Sequence, residues 1–197
     1  LLKIGTLCHR ISFFIVLLIL VMFVHMEALF GLSTNYMTTH EPALIAVNFG
    51  MWLIIVFLFT RIYMRQPKPD WQNAQREPML KKVVLILVMF GIVLVIDWID
   101  KRWNPLALPE NQVYINELMK AVPILTTLSN DLFAPTLEEL LFRGIFFNLF
   151  FIKKTKCDTV MKIIVSGLAF GCAHQLKIDY NWLIYCSFGW ILGSTYF

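Results

Sequence analysis

Followed residue by residue, the chain alternates between long unbroken apolar runs and short charged connections. Residues 11–30, 43–63 and 83–99 each come close to the ~20 apolar residues that cross a bilayer core, and further runs cover 160–178 and 181–197. None of these runs alternates with the period of two expected of barrel strands. In lipid every backbone polar group must be satisfied inside the element, so the pattern predicts an all-α, polytopic transmembrane helix bundle of about six spans. The stretch 117–152 is different. It is apolar, yet Pro123, Asn130, Asp131, Pro135, Glu138, Glu139 and Arg143 interrupt it. It reads either as a long kinked helix or as an interfacial or re-entrant piece up to Pro135 followed by a crossing helix.

Composition supports the same solvent. Hydrophobic residues make up 58% of the 197 and charged residues 15%, which is too apolar for an aqueous domain of this size. The formal charge of +4 does not point to nucleic acid, because the cations lie between apolar runs and form no stripe. Arg61, Arg65, Lys68, Arg76, Lys81 and Lys82 gather between the second and third runs, and Lys153, Lys154 and Lys156 form another basic connection. Residues 33–42 contain no Lys or Arg, while Lys3 and Arg10 precede the first run. Positive charge marks the cytoplasmic side, so the expectation is a multi-pass cell-membrane protein with a cytoplasmic N-terminus. Trp98 and Trp103 flank the third run as interfacial anchors, with Asp97 and Asp100 where the helix should leave hydrocarbon. Cys8, Cys157, Cys172 and Cys186 are scattered without CxxC spacing, so neither disulfides nor zinc is indicated and all four read as small core residues. The first run is too long for a signal peptide and lacks a clear cleavage site, so it is expected to be a retained span. The chain opens on Leu1 and closes on Phe197 inside an apolar run, and we expect it to be truncated at the C-terminus.

Chemistry concentrates in Thr136-Leu-Glu138-Glu139-Leu-Leu-Phe-Arg143-Gly144, where two carboxylates and a guanidinium sit among apolar residues. Ionisable groups inside a span are expensive and functional by default. Glu139 and Arg143 are four apart and can pair along one helix face. Glu138 lies ~100° round the helix and has Phe142, not a cation, four positions on. The bland alternative is a structural polar knot between helices. A second signal is Ser166-Gly167-Leu-Ala-Phe170-Gly171-Cys-Ala-His174. Gly167, Gly171 and His174 fall at i, i+4 and i+7, which predicts that His174 points into a tight helix contact. Alone, such a histidine reads as a hydrogen-bonded core residue. Together the motifs say more: Glu138 and His174 each lie about fifteen residues from the basic connection, ~22 Å along their helices. At matched depth a carboxylate and an imidazole could hold and deprotonate a water for attack on an amide. Asp131 could share the face of Glu138. His9 and His40 are expected outside the spans, and His25 with Glu27 near the outer end of the first. Cys172 and His174 are too sparse a pair for a metal site.

E-E-x-x-x-R at Glu138, Glu139 and Arg143, followed by F-x-x-x-H at Phe170 and His174, resembles the CPBP (Abi) family. That family includes type II CAAX prenyl endopeptidases and bacterial proteins linked to bacteriocin processing or self-immunity. The resemblance covers roughly residues 120–197 and divides the chain into 1–116, N-terminal transmembrane helices, and 117–197, an incomplete catalytic core. It implies an intramembrane endopeptidase acting on a peptide or protein substrate in the lipid bilayer. Glu138 would activate water, His174 would position it, Glu139 and Arg143 would order the site, and Phe170 would support it. No cofactor is implied, although a divalent metal is compatible with the motif; no nucleic acid is implied either, and the oligomeric state stays open. The family's later H-x-x-x-N helix, which would stabilise the oxyanion, is absent up to Phe197, so the chain as it stands is expected to be catalytically weak. The competing readings are a non-catalytic membrane immunity or scaffold protein and, less favoured for want of an inverted repeat, a small proton-coupled transporter.

Overall fold

A computed structural model describes residues 7–23, 31–66, 78–103, 110–151 and 156–195. The regular elements among them are helical. In chain order they are α1 (Leu7–Met22), α2 (Thr34–Arg65), α3 (Met79–Trp103), α4 (Glu110–Ala121), α5 (residues 123–150), α6 (Lys156–His174) and α7 (Tyr180–Thr195). Three of them, α2, α3 and α6, are long and apolar enough to cross a membrane, and α1 is a shorter apolar helix. The protein is thus a helical membrane bundle, as the apolar runs predict. Its helices form two compact units, one of α1, α2, α4 and α5 and the other of α3, α6 and α7. Contacts define these units, whereas motif content defines the 1–116 and 117–197 division.

In the first unit α5 is the buried axis. Leu125, Phe133, Leu137, Leu141, Ile145 and Phe147 are all at most 1% exposed; the helix is buried all round over 141–149, while Ile124, Thr127, Asp131, Pro135 and Glu139 leave one open face on its first half. Between two neighbours in lipid, close packing replaces the hydrophobic effect as the cohesive term. Aromatic rings supply much of it. Phe14 of α1 sits edge-on to Phe142 at 5.7 Å and Phe146 at 5.0 Å. Trp52 of α2 stacks on Phe133 at 5.3 Å.

The chain enters α5 at Val122, whose φ of −137° and ψ of 70° break the path from α4. Past that point it does not break again, which selects one long helix over a re-entrant piece ending at Pro135. Pro135 lacks an N–H, and its ring would clash with the carbonyl four residues back. The helix accommodates it by widening to π geometry over Leu128–Phe133, with Ala134 N donating five residues back to Ser129 O. Side chains take up carbonyls along this stretch: Thr126 Oγ1 donates to Val122 O at 2.8 Å, Asn130 Nδ2 to Thr126 O at 2.9 Å and Thr136 Oγ1 to Leu132 O at 2.6 Å.

Both ends of α5 are tied to other helices. Pro123 has no donor, Thr126 N reaches Val122 O at 3.0 Å, and the two N–H groups between them go to one carboxylate. Glu41 Oε1 of α2 accepts from Ile124 N at 3.2 Å and Leu125 N at 3.1 Å, so every donor of the first turn is accounted for. Glu41 follows a kink at His40 (φ −114°, ψ 16°) and precedes Pro42. At the other end Arg10 Nη1 donates to Leu149 O at 2.9 Å and Gln66 Nε2 to Ile145 O at 3.4 Å. A carboxylate at the start and a guanidinium at the end suit the helix dipole.

Two sequence expectations are corrected here. Residues 34–42 are helical and not a connection, because Ser33 caps α2 by accepting from Tyr36 N at 3.3 Å. His40 therefore lies within α2. Cys8, Cys157 and Cys172 are exposed, and only Cys186 is buried: helices apolar on all sides turn many small residues outward, where lipid suits them as well as a core does. The expectations for Lys3, His25, Glu27, Lys68, Arg76, Lys153 and Lys154 lie outside the described residues.

In the second unit α6 and α7 form an antiparallel pair, with α3 against α7. Gln175 and Asp179 make the turn. Gln175 Nε2 donates to both Asp179 carboxylate oxygens, at 3.3 and 3.2 Å, and Asp179 Oδ1 accepts from Trp182 N at 3.1 Å as the N-cap of α7. Glycines set the close approach. A Cβ on Gly189 would fall 2.8 Å from Gly167 Cα, and one on Gly171 would collide with Cys186 Sγ. Trp190 packs over Gly167 and donates from Nε1 to Ile164 O at 3.1 Å.

Candidate active site

The two motifs fall in different units, and each is built by its own helices. On α5, Glu138 and Glu139 end the short α-helical segment Ala134–Glu139, and Arg143 lies inside a second π-helical stretch, Leu140–Phe146. Wide turns of this kind concentrate at functional sites in α-helices. Arg143 Nη1 lies 3.3 Å from Glu139 Oε1, with Arg143 1% exposed at its side chain and Glu139 46%. The expected i, i+4 pair is therefore present but lopsided, the cation sealed in and the anion half in the open. The guanidinium carbon also sits 5.8 Å from the centre of the Phe142 ring, within cation–π range. Tyr63 of α2 packs against the bare face of Gly144, its Cδ2 3.5 Å from where a Cβ would stand. Glu138 is partly buried beside this pair, whereas Asp131 is exposed.

Further buried polar groups line the same unit. Ser129 Oγ, Trp52 Nε1, Asn148 Oδ1 and Gln66 Oε1 have no hydrogen-bond partner among the described residues. Trp52 lies on Phe133, one wide turn from Ser129. A membrane bundle keeps such groups where they face one another or a wetted interior.

In the second unit His174 is the last residue of α6 and is partly buried. Its Nδ1 is 2.9 Å from Phe170 O. A carbonyl can only accept, so Nδ1 carries a proton, and in the neutral tautomer with that arrangement Nε2 holds the lone pair. The ring is stacked between Phe170, at 4.2 Å, and Tyr185 of α7, at 4.9 Å. As its spacing with Gly167 and Gly171 predicts, it points into the α6–α7 contact.

Sequence reasoning missed several residues that matter here. Tyr185 left no local signal. Glu41 could be suspected only as an isolated acid before a proline. Asp179 was legible as a cap three residues before an apolar run. Lys162, buried on α6 with Asp158 one turn earlier, was overlooked as one more basic residue. Among the described residues, no three His, Cys, Asp or Glu side chains gather as a metal site would require.

Residues 120–197 match the family model described as type II CAAX prenyl endopeptidase Rce1-like. Both motifs lie inside that segment. Among curated proteins, the chain is 26% identical over 162 residues to the UPF0177 protein YvdC of Lactococcus lactis subsp. lactis, covering 82% of this chain and 59% of that protein. The chain thus spans about three fifths of that relative's length. No solved structure matches. The segment that carries Glu138, Glu139, Arg143, Phe170 and His174 is thus similar to the family that those residues resemble.

Proposed function

We propose that this chain is the core of an intramembrane endopeptidase that cleaves a peptide bond in a membrane-associated peptide or protein. The observation that carries the reading is the coincidence, within the family-matched segment, of two adjacent carboxylates with a guanidinium sealed inside the bundle. In the proposed reaction Glu138 takes a proton from a water molecule as the oxygen attacks the amide carbonyl. The proton passes to the departing amine as the tetrahedral oxyanion collapses, which leaves Glu138 ionised for the next turnover. His174, with Nδ1 committed to Phe170 O, accepts a hydrogen bond from the same water through Nε2. Arg143 pairs with Glu139 and holds it in place next to Glu138. That Glu138 and His174 share one water is part of the proposal. So is the topology, a multi-pass cell-membrane protein with a cytoplasmic N-terminus, which the basic residues Arg61 and Arg65 near the end of α2 and Lys81 and Lys82 at the start of α3 support.

A non-catalytic scaffold or immunity protein is the second reading. It is favoured by one observation: Arg143 and Glu139 already form a pair that a purely structural knot would contain. One experiment separates the two. The full chain, purified in detergent, is incubated with a membrane-peptide library and products are read by mass spectrometry. Glu138→Gln should slow cleavage by ~10²–10⁴-fold, the range of a general base, without changing the melting temperature. Cleavage by Glu138→Gln at the wild-type rate rules out the assigned base, and protection of cells that survives the substitution favours the scaffold.

A further inference from the structure

His40 and His174 make a natural comparison. Each imidazole places Nδ1 2.9 Å from the carbonyl four residues back, and each stacks at 4.2 Å on the aromatic side chain of that same residue, Tyr36 or Phe170. This half of the His174 environment is what a helix does with an aromatic at i and a histidine at i+4. It distinguishes nothing. What His174 has in addition is a second ring, Tyr185, delivered from another helix at 4.9 Å and 23° to the imidazole plane.

We propose that Tyr185 is a positioning residue for His174, holding the imidazole in a two-sided aromatic slot that presents Nε2 as its working edge. The inference rests on the peptidase reading for its catalytic meaning, but its geometry stands apart from that reading. An imidazole stacked on one face can still swing about its side-chain bonds. A ring on the other face closes that route, and the Nδ1–H bond to Phe170 O fixes which nitrogen faces outward. Tyr185 is placed to do this because Cys186, the next residue, seats against Gly171 at the close approach of α6 and α7. The absence of a side chain at Gly171 and the rigidity at His174 then share one cause. Ring stacking, not the phenol hydroxyl, is the working feature.

The test uses the full chain in detergent micelles with isotopically labelled histidine, His174→Gln assigning the signal. In the wild type the His174 ring protons should be displaced upfield by two rings, those of His40 by one, and the ¹⁵N shifts should report a protonated Nδ1. Tyr185→Phe should preserve the His174 pattern, and Tyr185→Leu should reduce it to the one-sided pattern of His40. Tyr185→Met, unbranched and better able to fill an irregular gap, makes the same measurement if the leucine variant fails to fold. On any peptide the wild type cleaves, Tyr185→Leu should lower kcat about 10- to 100-fold with KM unchanged, the scale of a misplaced catalytic group, and Tyr185→Phe should restore it. An unchanged His174 spectrum in both ring-less variants overturns the proposal, as does an equal fall in kcat for the phenylalanine variant. A wild type that cleaves nothing sinks the peptidase reading, while the spectra still decide the positioning claim.

Discussion

Glu41 offers the sharpest test of how the site-bearing helix is held. Replacing it by Ala removes the acceptor from Ile124 N and Leu125 N and takes a negative charge from the positive end of α5. Hydrogen bonds to a charged group contribute ~1.5–3 kcal/mol each, and Ile124 at 59% exposed sits at the open surface, where less of that is lost. Leu125 is 1% exposed, so its N–H has less access to a substitute. A helix cap of this kind is worth ~0.5–2 kcal/mol, and the dipole interaction adds a fraction of one more. The expected loss is ~2 kcal/mol, or ~30-fold in a local opening equilibrium. Hydrogen–deuterium exchange in micelles reads it directly. Protection at Ile124 and Leu125 should fall ~30-fold in Glu41→Ala and by a smaller factor in Glu41→Gln, which keeps an acceptor. Protection over residues 140–146 should not change, since fraying stays within the first turn or two. Thr39→Ala, which removes only an exposed bond to Asn35 O, serves as the control. Exchange at Ile124 and Leu125 that matches this control in Glu41→Ala would refute the assignment of Glu41 as the cap.

Two other outcomes follow from the packing. Because Arg143 is sealed in and Glu139 half open, the order of damage should be unequal. Arg143→Met should change stability by no more than ~1 kcal/mol, while the double change Glu138→Gln with Glu139→Gln strands the buried cation and should cost ~3 kcal/mol or more. Unfolding by steric trapping in bicelles measures both, and the reverse order would contradict the burial argument. Gly189→Ala, which drives a Cβ to 2.8 Å from Gly167 Cα, should destabilise by ~1–3 kcal/mol. Gly50→Ala and Gly91→Ala meet nothing within 4 Å and should stabilise by ~0.5–1 kcal/mol. Thermal unfolding followed by near-ultraviolet circular dichroism decides the sign for each.

Legibility varied with the range of the interaction. The Glu139–Arg143 pair is an i, i+4 contact, so spacing alone revealed it. The Gly167, Gly171 and His174 face follows from helical period in the same way. Pro135 left two readings open, a kinked helix or a re-entrant piece, and only the wider turns at Leu128–Phe133 show how the helix runs on. Residues 34–42 misled for a related reason: Pro42 and the lack of a long apolar run look like a connection, yet Ser33 caps a helix there. Cys8, Cys157 and Cys172 were misjudged, and Cys186 was not, because burial in a lipid-facing bundle cannot be inferred from apolarity.

By itself the sequence determined the solvent, the helical class and the identity of the chemical groups, since long apolar runs admit no other backbone solution in lipid and since local spacing sets which side chains share a face. Tertiary structure decided the partners that come from elsewhere in the chain: Glu41 on the start of α5, Arg10 and Gln66 on its end, Trp52 against Phe133, and Tyr185 over His174. Each joins residues separated by a connection whose path no local rule specifies. The energy that selects such contacts resides in packing between helices, which exists only once the helices have met.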